Sequence, residues 1–146
     1  MAKYLIGAAG SAASTTNAIC NLWTPSARSA RVVRIDFVIT AATATTVSLV
    51  RTTARGTQST TATPQALDPL SGAATSAFDT AWSAQPTFAA TNMGTWTLPA
   101  TIGAGISLVF DDVDPLVVAA AAGISLRNTG GSTAAANFVT VVYDEG

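Results

Sequence analysis

The segment Arg31-Val32-Val33-Arg34-Ile35-Asp36-Phe37-Val38-Ile39 constrains this chain more than any other. Val33, Ile35, Phe37 and Ile39 fall on one side of an extended backbone, and Arg34, Asp36 and Thr40 on the other. That period of two belongs to a half-buried β-strand and not to a helix. Similar runs recur at 18–23, 47–52, 95–98, 105–110, 123–128 and 137–143, with weaker signal over 80–88. The chain holds 30 Ala, but they sit in broken runs among Gly, Ser and 23 Thr, and no 3.6-residue apolar stripe forms. The expectation is an all-β jelly-roll or Greek-key sandwich of about eight strands. At 146 residues it makes a single domain, 1–146.

Two segments interrupt the strand pattern. Residues 7–17 are rich in Ala, Gly, Ser and Thr and predict a flexible N-terminal segment. Residues 54–80 carry Arg55-Gly56, Thr63-Pro64, Asp68-Pro69 and Ser71-Gly72, and predict a long crossover loop. Thr129-Gly130-Gly131-Ser132 predicts a loose hairpin between the last two strands. Gly-Ile-Ser-Leu occurs at 105–108 and again at 123–126. The flanks differ, so this reads as two similar strands and not as a duplicated unit.

Much chemistry is excluded by composition. There is no His, which removes Ser-His-Asp and Cys-His nucleophile systems and most zinc sites. The single Cys20 cannot form an intrachain disulfide and reads as a small buried apolar side chain. A net charge of −1 argues against nucleic acid, which needs clustered cations. No run of 18 strongly apolar residues indicates a membrane span, and the N-terminal apolar run is too short for a secretory signal. Synthesis in the cytoplasm is expected. No acid has a recognisable activating partner, so no enzymatic activity and no cofactor are expected. Asp111, Asp112 and Asp114 are open to two readings, a calcium site or a solvated loop that ends a strand.

Only 10% of residues are charged, where a free soluble protein usually has a surface about 25–35% charged. A surface largely occupied by partners accounts for that. On the last strand Val139, Val141 and Tyr143 face one way, while Phe138, Thr140 and Val142 face the other. A strand apolar on both sides meets the core with one face and a loop or second subunit with the other. Self-association is therefore expected, as a trimer first and a dimer second. Lys3, Arg28, Arg31, Arg34, Arg51 and Arg55 all lie before residue 56, and seven of the eight acids lie after it. Interleaved strands can mix this polarity. If it survives folding, a basic patch on one subunit meets an acidic one on the next. Arg28, Arg31 and Arg34, with Phe138, Thr140 and Val142, are the candidate contact residues. Trp23, Trp82 and Trp96 read as core or interface anchors, or else as sugar-stacking platforms.

Short motifs along most of the chain carry a resemblance. Leu22-Trp23-Thr24-Pro25 precedes the strand at 31–39, and Val50-Arg51-Thr52-Thr53 leads to Ala66-Leu67-Asp68-Pro69. Thr80-Ala81-Trp82-Ser83, Leu98-Pro99-Ala100-Thr101-Ile102-Gly103-Ala104-Gly105, Val117-Val118 and Gly123-Ile124-Ser125-Leu126-Arg127-Asn128 complete it with the closing strand. In these the chain resembles small jelly-roll capsid decoration (cement) and head-fibre proteins of tailed phages. The resemblance implies a non-enzymatic virion protein on the outer capsid surface, bound to the lattice of major capsid protein and reinforcing it. The alternative is a phage tail or fibre receptor-binding module that holds carbohydrate.

Overall fold

The computed structural model describes residues 1–111 and 113–146, and among them there is no helix. Thirteen strands run in the order β1 (Ala2–Ala9), β2 (Ala18–Trp23), β3 (Ala30–Ile39), β4 (Thr45–Ala54), β5 (Thr57–Ala62), β6 (Gln65–Ala66) and β7 (Ala77–Ala84). They continue as β8 (Thr87–Phe88), β9 (Gly94–Leu98), β10 (Gly105–Val109), β11 (Leu116–Val118), β12 (Gly123–Asn128) and β13 (Asn137–Glu145). They form two antiparallel sheets packed as a sandwich. The first has the order β10-β3-β13-β1-β6, with β11 also on β3; the second has β5-β7-β2-β12-β4-β8, with β9 also on β4. Long strands change sheet as the chain proceeds: β1 in the first, β2 in the second, β3 in the first, β4 in the second. Neighbours in space are thus distant in sequence, as in Greek-key connections.

The core lies between the sheets. Ile35, Phe37 and Ile39 from β3 and Val139, Val141 and Tyr143 from β13 face Leu22, Phe78, Leu49, Ile124 and Leu126 from the second sheet. Tyr4 stacks on Tyr143 with ring centroids 5.6 Å apart.

Four sequence expectations change. Val32 is buried and Val33 is not, the reverse of the simple alternation. Val142 pairs with Arg34 and Tyr143 with Val32, so Val33 is the extra residue of a β-bulge that resets the phase of the strand. The segment 7–17 is tied down. Gly7 to Ala9 belong to β1, Ser11 N–H donates to Ile19 O, and Thr16 N–H donates to Asn128 O. Ala13 is buried, and its carbonyl accepts from Ala134 N–H and from Asn128 Nδ2. The segment 54–80 contains β5, β6 and the start of β7. The hairpin at 129–132 is a crossover, because β12 and β13 lie in different sheets.

Candidate apolar docking face

The two sheets differ in what covers their outer faces. In the second sheet a row of paired residues runs Val50, Ser125, Asn21, Asp79, Thr61 on the side away from the core. Val50, Ser125, Asn21 and Asp79 are all buried. Chain from the 55–88 region lies over them. Arg55 grips Asp79, the Gln85 side chain accepts from Ala18 N–H at 2.8 Å, and the Arg127 guanidinium sits 4.4 Å from the centre of the Phe88 ring.

The outer face of the first sheet is open. Its register gives three rows: Gly105, Val38, Phe138, Ala9; Ser107, Asp36, Thr140, Gly7; and Val109, Arg34, Val142, Leu5. Phe138 is 53% exposed and Val109 70% exposed. Gly105 has to be small, because a β-carbon there would lie 2.5 Å from Phe37 O. Its missing side chain helps to open a shallow hollow of about 360 Å³ lined by Asp36, Val38, Ser107, Phe138 and Thr140. In the middle row Asp36 accepts from Arg34 Nε at 3.0 Å and from Ser107 Oγ at 2.5 Å. The face thus carries its apolar side chains in the two outer rows, with one ion pair linking Arg34 of an outer row to Asp36 of the middle row. An apolar face of this kind marks a contact surface.

Four of the six candidate contact residues, Arg34, Phe138, Thr140 and Val142, fall in these rows. Arg31 lies further along β3, opposite Asp144, and its Nη1 approaches Met1 Sδ at 3.9 Å. Arg28 does not join them. It stands in the turn before β3, its N–H donating to Pro25 O, beside a hollow formed by Met1, Tyr4, Gly72, Thr75 and Glu145. The sequence polarity of charge is mixed by the fold: Lys3 and Arg31 pair in register with Asp144, Arg34 meets Asp36, and Arg55 meets Asp79. Leu5 and Val109 complete the face but went unread as contact residues. For Leu5 the signal was present, since buried Tyr4 and Ile6 flank it in the alternation of a strand.

The other candidates are occupied locally. Asp111 Oδ1 accepts from the N–H groups of Val113 and Asp114, a turn-forming role, and Asp112 lies outside the described residues. Among the described residues no three His, Cys, Asp or Glu side chains come together to hold a metal. Trp23, Trp82 and Trp96 are each half-buried. Asp79 accepts from Arg55 Nε and Nη2 and from Thr61 Oγ1, each at 2.7 Å. That hydrogen bonding raises the Arg55 guanidinium above its ordinary value, against the opposing effect of burial. Glu145 accepts from the N–H groups of Thr75 and Ser76 and from Thr75 Oγ1. Burial pushes its pKa up, but these hydrogen bonds outweigh burial and hold it below the ordinary carboxylate value.

Compared with protein-family models, curated proteins and solved structures, the chain finds no match.

Proposed function

We propose that this chain is a non-enzymatic structural protein of a virion, a capsid decoration (cement) protein. It docks on the outer lattice of major capsid protein through the open face of its first sheet. The observation that carries this reading is the contrast between the two sheets. One has the centre of its outer face buried under its own chain; the other presents Leu5, Val109, Phe138 and Val142 to solvent. Burying such a face contributes roughly 25 cal/mol per Å² of apolar area, less the costs of association. A repeating lattice then multiplies weak single contacts. The motif resemblance supplies the kind of lattice. The protein is made in the host cytoplasm and ends on the capsid exterior.

The rival reading, a receptor-binding module that stacks sugars on Trp faces, draws less support. All three indoles are half-buried, and the large exposed side chains of the open face are aliphatic or Phe. A mass-spectrometric census of purified particles, together with a glycan array, tests the proposal. It expects stoichiometric protein in the particles and no glycan signal. Glycan binding with no particle association would overturn it.

A further inference from the structure

The outer edge of the first sheet ends on β10, Gly-Ile-Ser-Leu-Val, which carries no charge and no Pro. Natural edge strands are usually blunted by Lys, Pro, bulges or shortness. Several edges of this fold are blunted in that way: β6 and β8 span two residues each, and β5 slips register repeatedly against β7, whereas β9 is uncharged and pairs regularly with β4. Likewise β10 pairs regularly with β3 over its whole length.

Antiparallel pairing alternates bonded and non-bonded residues. Ile39 N–H donates to Ala104 O at 2.9 Å, and Phe110 N–H donates to Val33 O at 2.8 Å. Those two bonds fix the phase. Ile106 and Leu108 aim their backbone groups inward at β3, while Gly105, Ser107 and Val109 aim theirs away from the sheet. The side chains of these three lie on the open outer face.

We propose that β10 pairs antiparallel with β10 of a second copy about a two-fold axis at Ser107, joining the two first sheets into one. The strand is complementary to its own reverse. Ser107 meets Ser107 of the second copy, and Gly105 meets Val109. Val109, 70% exposed, leans over the vacant side-chain position of Gly105 toward the hollow bounded by Val38 and Phe138. On the inner side Ile106 meets Leu108, an apolar pair. Beside them an apolar slot of about 410 Å³, lined by Leu49, Met93, Trp96, Leu108 and Phe110, opens on the same flank and is covered by the partner. The ladder brings no like charges together. Asp111 of each copy stands four residues from the axis, so the two are roughly 27 Å apart at about 3.4 Å per residue. That exceeds the Debye length of about 8 Å several-fold.

A two-fold closes after two copies. This edge therefore predicts a dimer, and not the trimer that composition placed first. The dimer sets two open faces side by side, but it stands independently of what they dock on and is read on the free protein.

Sedimentation equilibrium of the full chain at high micromolar concentration is expected to give twice the monomer mass. Val109→Lys, which supplies the missing edge charge, is expected to give a monomer that keeps the far-ultraviolet circular dichroism of the parent and loses the concentration dependence of its melting temperature. Ser107→Cys is expected to form a covalent dimer under mild oxidation, because bonded antiparallel pairs have Cα atoms about 5.5 Å apart, within disulfide reach. Cys20 is buried and leaves the new thiol as the reactive one. A monomeric parent, a Val109→Lys chain that stays dimeric, or a Ser107→Cys chain that fails to cross-link would each overturn the proposal.

Discussion

Arg55 holds Asp79 through one edge of its guanidinium, Nε to Oδ2 and Nη2 to Oδ1, each at 2.7 Å. The carboxylate is fully buried and the Arg side chain is 28% exposed. Removing one partner of a buried pair strands the other's charge, at a cost of about 3–5 kcal/mol. Arg55→Ala should lose that much in urea unfolding. Adding Asp79→Asn should recover part of it, since the neutral amide still accepts from Thr61. If the single substitution costs no more than a surface change, the pair is not what pins the covering segment to the second sheet.

Glu145 makes stability depend on acidity. Its carboxylate titrates below the ordinary 4.5 in the folded chain. The stabilisation is therefore complete above the unfolded value and disappears as pH falls through the folded one. Hydrogen bonds to a charged group contribute about 1.5–3 kcal/mol. The unfolding free energy should drop by that order between neutral pH and a pH below the folded value. In Glu145→Gln the same drop should be visibly smaller. Equal drops in both proteins would remove Glu145 as the cause.

Cys20 is sealed in the core, where burial pushes its thiol up to about 12. The native protein should resist a thiol reagent at pH 8, and one equivalent should react once the chain is unfolded. Rapid native labelling would mean that β2 opens far more readily than its packing implies.

The Arg34–Asp36 pair is exposed, with side chains 53% and 31% accessible. Such pairs contribute only about 0–1 kcal/mol to stability. Arg34→Ala should leave the melting temperature nearly unchanged while it alters the rate and salt dependence of docking. A large loss of stability would assign Arg34 to the fold and not to the contact surface.

The strands that pack on the core were legible because burial imposes a period of two. β2 and β12 match the sequence reading to the residue. What was hidden lacked that imprint. β5, Thr57–Ala62, is a polar terminal strand with nothing to alternate, so it read as loop. The bulge at Val33 is a property of the pairing with β13 and is invisible along β3 alone. Gly-Ile-Ser-Leu shows the limit most directly. At 123–126 every residue is buried between β2 and β4; at 105–108 the same letters form a half-open edge. Nothing local distinguishes them, because burial is decided by strands distant in sequence. The open face was half legible. Phe138, Thr140 and Val142 stood out as the second apolar side of a strand, whereas Leu5 and Val109 needed the register.

The central claim is that the open face of the first sheet is the docking surface. Its most direct test is a titration of the parent and of Phe138→Asp onto capsids assembled without the protein. Matched melting curves establish first that both chains are folded. The account predicts that Phe138→Asp binds at least about tenfold more weakly, roughly 1.4 kcal/mol, because a carboxylate replaces the most exposed aromatic of the face. Superimposable binding curves would contradict it.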